Sequence, residues 1–596
     1  MGVFISRVII KNFRNFKDLD VNISNNAVIV GENRVGKSNF LYALRLLLDP
    51  TLPDSARMLK EDDFWDGLTD PMKNGEEIVV SIDFKNVREN RKLLSILSDY
   101  FVRDESENEI VRITYKYKPI PGFETAVDAE ERLIYEFRIY GGNEESNVFT
   151  SATRRWMPLD VLQALRDAES DFRNWHRSPL KPLIDRLEID KEQLESATSE
   201  IDSATEKITA LPDINRLSED IETRLNQMIG MFHSISPTLG FASANASKLI
   251  HSLRLFVDGE KQRTIGEDSL GICNVIYLTL FILELERKEA VGERVLTILA
   301  IEEPEAHLHP HLQRLVFRDF LNRDAMILLT THSPHIVSVS PLKSLVVLRN
   351  NGKDVGSQAT STALLDFSSD LIDDLERYID ATRGEIFFAR GIILVEGIAE
   401  MYIVPACAKL FGYNLDQKGI SVCNIHGTDF APFVRILEKN ALNIPFIIIS
   451  DGDPIQADDD FRYNGINRMA SVIEILEPSK LFLVKKLIKG NKWQDIIELL
   501  QEYGIFLNMT TLEIELDKSG NREEIINTLS ELGSGTLQLS RLNEALSTDD
   551  YSKMMKIIES HGKGRFSQRF APKLENEKVP DYLRIALENI WSQIPE

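Results

Sequence analysis

Four apolar residues, Ala27-Val28-Ile29-Val30, lead straight into Gly31-Glu-Asn33-Arg-Val-Gly36-Lys37-Ser38. Phe40, Leu41, Leu44, Leu47 and Leu48 then recur at helical spacing. A strand that ends in a glycine-bearing turn and opens a helix commits this stretch to an α/β layer. The glycines let backbone N–H groups turn inward on phosphate oxygens, and the helix points its positive end at the same anion. Lys37 would neutralise β/γ charge and Ser38 would ligate Mg²⁺. The spacing therefore predicts an ATP site built by Asn33, Gly36, Lys37 and Ser38.

Two later segments complete such a site. A strand expected over 295–301 ends in Glu302-Glu303-Pro304. There Glu302 would hold the magnesium-bound water and Glu303 would polarise the attacking water. Alone, such a pair reads as a solvated strand end, but beside a phosphate loop it reads as hydrolytic machinery. Thr330-Thr331-His332-Ser333-Pro334, at the tip of an apolar strand over 326–329, offers the His332 imidazole to sense the γ-phosphate.

A second acidic constellation lies about ninety residues further on. Ile392-Ile-Leu-Val-Glu396-Gly-Ile-Ala-Glu400 places one carboxylate at a strand's end and another a turn later. Phe446-Ile-Ile-Ile-Ser-Asp451-Gly-Asp453 ends a second apolar strand in two acids. Neighbouring parallel strands would gather these groups, which repel unless divalent cations sit between them. Two ions there, Mg²⁺ or alternatively Mn²⁺ or Ca²⁺, could act on a phosphodiester. In Thr510-Thr511-Leu-Glu513-Ile-Glu515 the acids alternate with apolar residues, so a strand would aim Glu513 and Glu515 at one face. Gly562-Lys563-Gly564 sets an amine where backbone can approach a phosphate.

At 596 residues the chain is too long for one core. We expect a first ATPase part over 1–157, a helical insertion over 158–244 suited to self-association, a second ATPase part over 245–372, and a further α/β unit over 373–596. The stretch 350–369 reads as a linker. A net charge of −24 argues against a surface coated for non-specific DNA binding, yet leaves room for a local basic channel. Candidates are Lys480, Lys485, Lys486, Lys489 and Lys492, and the group Lys563, Arg565, Arg569 and Lys573. No apolar run is long enough to cross a bilayer, and three scattered cysteines point to a reducing cytoplasm rather than to structural zinc.

Asn12-Phe13-Arg14, the phosphate loop, 301–310 and Thr331-His-Ser-Pro334 together resemble the ABC-type ATPases of the SMC, RecF and Rad50 group. That resemblance implies ATP sandwiched between two heads, with a signature serine from the opposite head. The nearest match is Asp268-Ser269-Leu-Gly271, which departs from Leu-Ser-Gly-Gly-Gln. Ser269 and Gly271 are carried over on it. The first acid of the hydrolytic pair is Glu302 rather than Asp, a second departure. The downstream acids resemble a Toprim domain. The whole order, from ATPase through helical insertion to Val-Glu-Gly-x-x-Glu, Asp-x-Asp, Thr-Leu-Glu and Gly-Lys-Gly, resembles the OLD (overcoming lysogenization defect) nucleases, which include the Gabija nuclease subunit.

The resemblance implies an ATP-regulated, metal-dependent DNA endonuclease in antiphage defence. Glu396, Glu400, Asp451, Asp453 and Glu513 would be its metal ligands, with Glu515 as the alternative to Glu513. Glu396 or Asp451 would assist proton transfer, and Lys563 would stabilise the transition state. A homodimer or tetramer is implied, and a helicase or other defence component is a candidate partner. The competing reading is a RecF- or SMC-like repair ATPase whose Toprim domain binds nucleic acid without cutting it.

Overall fold

The computed structural model describes residues 2–122, 128, 131–163, 171–172, 174, 178–187, 190–229, 250, 253, 255–258, 263–264, 270–323, 325–352, 354–365, 367–380, 383–457 and 460–594. The chain divides into two compact units. The larger comprises Met1–Ala164, Val295–Glu305 and Pro310–Glu596; the smaller comprises Leu165–Arg294 and Ala306–His309.

The larger unit holds three main sheets. The first is antiparallel, in the order Phe16–Asn22, Phe4–Phe13, Ile78–Lys85, Glu109–Pro119, Phe101–Arg103, with Tyr135–Gly141 also pairing on Glu109–Pro119. The second runs Ser357–Ser361, Leu345–Asn350, Asn26–Val30, Met326–Thr331, Ile298–Glu302, Leu159–Leu162. All its pairings are parallel except that of the edge strand Ser357–Ser361. Parallel strands buried on both faces read as near-continuous apolar runs, which is why 27–30 and 326–329 were recognisable.

The helix Lys37–Leu48 shares one core with both of these sheets. Phe40, Leu41, Leu44, Leu46, Leu47 and Leu48 are fully buried and cluster with Ile10, Ile82 and Tyr115 on one side and Ala300 and Leu328 on the other. A helix apolar over so much of its circumference must lie inside a layered domain rather than on its surface. The stretch 350–369, expected as a linker, is in part an ordered strand. Val346↔Ser361 through Asn350↔Ser357 form a hairpin-like ladder, and polar residues suit its edge position.

The third sheet runs Ile420–Asn424, Gly391–Val395, Phe446–Ser450, Ile505–Leu507, all parallel. Val395 registers against Asn424 and Ile449, and Ser450 against Leu507, so these strands stop level with one another. Helices Ile398–Leu410, Lys563–Phe570 and Asp581–Gln593 pack on it through Ile403, Val404, Phe566, Phe570, Leu583 and Leu587.

In the smaller unit Lys191–Thr209 and Pro212–Ile229 are two amphipathic helices within the expected helical insertion, with Pro212 as the first residue of the second, where proline is tolerated. Asp190 caps the first of them by accepting the Glu192 N–H. Leu270–Ala290 is a third long helix, and Phe256–Asp258 pairs with Arg263–Thr264.

Candidate functional site

The phosphate loop is pre-organised by the residues before it. Gly36, at φ 103°, begins the helix, and any Cβ there would collide with the Asn15 side chain. Asn15 Nδ2 donates to the Val35 carbonyl at 2.6 Å, Asn39 donates to Asn15 Oδ1 at 2.7 Å, and Arg14 donates to Asn39 Oδ1 at 2.7 Å. The Asn-Phe-Arg-Asn turn is thus a brace under the loop. Lys37 is buried, and its ammonium donates to the carbonyls of Gly31 (3.1 Å) and Glu32 (3.0 Å). Burial lowers its pKa to about 8, against the opposing pull of Glu303 and Glu305. Asn33 and Ser38 are exposed on the same loop.

His332 stands between Lys37 (Nδ1, 3.3 Å) and Glu303 (Nε2, 3.2 Å). Burial and the Lys37 charge lower its pKa, while Glu303 opposes them. Glu302 closes its strand, and burial raises its carboxyl pKa. The motif also contains a residue given no role from sequence. Glu305 Oε1 accepts the Thr331 hydroxyl at 2.9 Å and the His332 N–H at 2.6 Å, while its other oxygen is buried without a partner. It fixes the backbone that carries the His332 imidazole. Gly271 lies in the smaller unit, where a Cβ would sit 2.5 Å from the His307 carbonyl oxygen. Ser269 falls outside the described residues.

The second centre forms where the strands Gly391–Val395 and Phe446–Ser450 end side by side. Glu396 Oε1 accepts the Ser450 hydroxyl, the Asp451 N–H (3.2 Å) and Arg468 Nη2 (3.1 Å). Asp451 accepts Asn508 Nδ2 at 2.7 Å, and burial raises its carboxyl well above the usual range. Glu400, on the first turn of Ile398–Leu410, is likewise raised by burial and by the charges of Glu513 and Glu396. Glu396 and Glu513 are thus close enough for their charges to raise the carboxyls of Glu400 and Asp451. Asp453, at φ 47°, joins them through Arg468 Nη2 at 2.8 Å.

The alternation at 511–515 misleads: Leu512–Leu516 is a helical turn, not a strand. Leu512 and Leu516 sit one turn apart and are both buried, so helical spacing satisfies the same apolar pair. The two acids therefore diverge. Glu513 is 2% exposed and takes Lys563 at 3.3 Å, whereas Glu515 bonds Thr510 and Lys518. Lys563 opens the helix Lys563–Phe570. Gly564 is there for packing: a Cβ would lie 2.6 Å from Ile398 Cγ2 on the neighbouring helix. Burial works against the Lys563 charge, but Glu513, Asp451 and Glu400 outweigh it and raise its pKa.

Among the described residues, no three His, Cys, Asp or Glu side chains are gathered tightly enough to grip one metal ion as they stand. The donor set nevertheless suits a hard divalent cation, being all carboxylate and hydroxyl oxygen. One buried carboxylate oxygen, Glu513 Oε2, has no partner at all. Buried charges of one sign with an orphaned oxygen call for positive charge beyond that of Lys563. Asn508, Ser450 and Arg468 were not singled out from sequence. Ser450 alone was signalled, as the residue between an apolar strand and Asp451.

Comparison with known proteins agrees with both halves. Residues 4–337 match the AAA ATPase domain family, and residues 387–453 match the TOPRIM domain of overcoming lysogenization defect-like proteins. An OLD nuclease of Thermus scotoductus is 24% identical over 468 residues, covering 75% of this chain and 82% of that protein. The endonuclease GajA of Bacillus cereus is 23% identical over 461 residues, 75% of each chain. The solved C-terminal region of the Burkholderia pseudomallei OLD protein is 32% identical with a TM-score of 0.31, and the match spans 35% of this chain and 100% of that one. With more than half its length matched by that ATPase model, the chain belongs to the AAA ATPase domain family, and it carries a Toprim domain of the OLD-like type whose strand ends bear the acids.

Proposed function

We propose that the chain is an ATP-regulated, divalent-metal-dependent DNA endonuclease, nicking or cleaving its substrate, that serves in antiphage defence. The observation that carries this reading is the convergence of Glu396 and Asp451 at neighbouring strand ends, with Glu400 and Glu513 near enough to act on the same charges and the Lys563 ammonium 3.3 Å from Glu513. Similarity to an OLD nuclease and to the endonuclease GajA supports it. The ATPase comprises 1–157 and 245–372 together with the strand Leu159–Leu162 of its sheet, the remainder of 158–244 serves self-association into a homodimer or tetramer, and 373–596 is the nuclease.

Glu396, Glu400, Asp451, Asp453 and Glu513 would hold the divalent ions, Mg²⁺ or Mn²⁺. When bound, such ions activate water and stabilise the leaving 3′-oxygen. The chain's own groups do the rest. Glu513 fixes Lys563, whose charge offsets that of a phosphodiester passing through pentavalency. Asn508 orients Asp451, and Ser450 orients Glu396. DNA has a complementary surface in the helix Leu481–Lys489, where Lys485, Lys486 and Lys489 are exposed around Phe482, itself 80% exposed.

The link to ATP is supported by packing around the phosphate loop. A Cβ on Gly31 would sit 2.5 Å from the Leu348 carbonyl oxygen, so loop and strand are in close contact. The next residue, Arg349, donates to the carbonyls of Ala389 (3.0 Å) and Asn443 (3.4 Å). Those carbonyls precede the two strands whose far ends carry Glu396 and Asp451. A shift of the loop on nucleotide binding is therefore one contact away from the strands that position the carboxylates. Incubation of plasmid DNA with Mg²⁺ or Mn²⁺ tests the assignment: the wild type should cut and Glu396→Ala should not. Equal cutting by both would discredit the site, and binding without cutting by the wild type would leave a repair-type ATPase.

A further inference from the structure

Arg468 sits one turn into the helix Asn464–Leu476, whose first residues are docked on the Asp451-Gly-Asp453 turn. The Asn464 and Gly465 N–H groups donate to the carbonyls of Asp453 (3.2 Å) and Gly452 (3.0 Å). The docking brings a single guanidinium nitrogen, Nη2, to three oxygens: Asp453 Oδ2 at 2.8 Å, Glu396 Oε1 at 3.1 Å and the Asp451 carbonyl at 3.5 Å. These come from both of the acid-bearing strand ends. One positive atom surrounded by oxygens from separate turns is the environment of a bound cation rather than of an ordinary surface ion pair.

The rest of the guanidinium is poorly served. Its Nε is buried with no acceptor, so the residue is held by the carboxylates and not by a full complement of its own hydrogen bonds. Glu396 Oε1 is saturated, since Ser450, the Asp451 N–H and Arg468 all donate to it. Lys563 differs in kind. It engages Glu513 Oε1 and leaves Glu513 Oε2 unpartnered, so it can remain while a second cation arrives. Arg468 holds one oxygen each of Glu396 and Asp453, two of the carboxylates that would ligate a divalent ion.

We propose that Arg468 is a built-in counter-cation of the metal-free site, which bridges Glu396 and Asp453 until a divalent ion displaces it, and so sets the affinity for that ion. It is a positioning residue: it holds the two turns at their working separation without a metal. The proposal rests on the metal-dependent nuclease reading. Because the Arg468, Glu396 and Asp453 side chains keep 24%, 17% and 36% of their surface in solvent, the bridge is weak enough for a doubly charged ion to replace it.

The test compares full-length wild type, Arg468→Gln, Arg468→Lys and Glu400→Gln, all nucleotide-free, by Mn²⁺ titration calorimetry and by melting in EDTA and in Mn²⁺. Arg468→Gln should bind Mn²⁺ about tenfold tighter than wild type, the order expected for loss of two partly exposed ion pairs. It should melt below wild type in EDTA and regain that difference in Mn²⁺. Arg468→Lys, which keeps the charge on a shorter reach, should fall between them and carries the comparison if the glutamine variant does not fold. Mn²⁺ binding to Arg468→Gln that equals or falls below that of wild type, with Glu400→Gln weaker than both, overturns the counter-cation and leaves the metal site standing. Binding that is the same in all four proteins overturns the metal reading itself.

Discussion

Gly465 offers the sharpest check on how the carboxylate turn is held. A Cβ at this position would fall well inside van der Waals contact of the Asp451 carbonyl oxygen, and 3.0 Å from both the Asp451 carbonyl carbon and the Gly452 Cα. Every one of these atoms is backbone, so no side chain can swing aside. In Gly465→Ala the helix or the turn must retreat by about 1 Å, an overpacking cost on the order of 1–3 kcal/mol. Alanine returns about 1 kcal/mol through better helix propensity. The net is a loss of up to about 2 kcal/mol, and the shift falls on the turn that carries Asp451 and Asp453. Displacement of reacting groups by about 1 Å costs roughly 100-fold in rate. Thermal melting and metal-dependent plasmid cutting should therefore both fall, cutting by far the more. Gly535→Ala is the control, because a Cβ there meets nothing within 4 Å. A Gly465→Ala protein that melts and cuts like wild type refutes the close docking, and one that melts lower but cuts normally refutes its part in the site.

Other outcomes follow from the same geometry. Lys37→Ala should abolish ATP hydrolysis in a phosphate-release assay, yet keep wild-type stabilisation by Mn²⁺, since the carboxylate centre is a separate set of side chains. Glu513→Gln should cut DNA about 100-fold more slowly, as expected when an orienting charge beside the reacting group is lost. Glu515→Gln, which disturbs only Thr510 and Lys518, should cut normally; equal loss in both would reject the helical placement. Glu305→Ala should leave nucleotide binding intact and slow hydrolysis, because the His332 N–H and the Thr331 hydroxyl lose their acceptor. Burial pushes the Cys407 and Cys423 thiols up to about 12, so at pH 8 only about one in 10⁴ is thiolate. A thiol-reactive dye should label them only after denaturation. Both thiols titrate earlier when unfolded, so stability should decline between about pH 9 and pH 12.

What could be read from the residues, and what could not, divides along physical lines. The phosphate loop, the 298–302 and 326–331 strands, and the 391–395 and 446–450 strands announce themselves because parallel strands buried on both faces are written as unbroken apolar runs. Glu396 and Asp451 follow at once, since they sit where those runs stop. Glu513 was harder, because Leu512 and Leu516 are compatible with either period over so short a stretch. Arg468, Asn508 and Glu305 were out of reach for another reason: each acts across the fold, on residues 15 to 72 positions away, through contacts that no local pattern encodes.

The two centres solve one electrostatic problem in the same way. Each gathers carboxylates whose burial raises their pKa, Glu302 and Glu305 in one, Glu400 and Asp451 in the other. Each stations a side-chain cation among them, Lys37 with His332 on Glu303, and Arg468 with Lys563 on Glu396, Asp453 and Glu513. In neither is the neutralisation complete, since Glu305 Oε2 and Glu513 Oε2 remain buried without partners. An unsatisfied buried carboxylate oxygen is a cost that folding alone does not recover, and ligands that complete the shell recover it on binding. The same residual cost therefore makes both sites poor hydrophobic-core material and good binding sites. Net charge does not forbid a local field of the opposite sign: in a chain of net charge −24 the helix Leu481–Lys489 still exposes Lys485, Lys486 and Lys489.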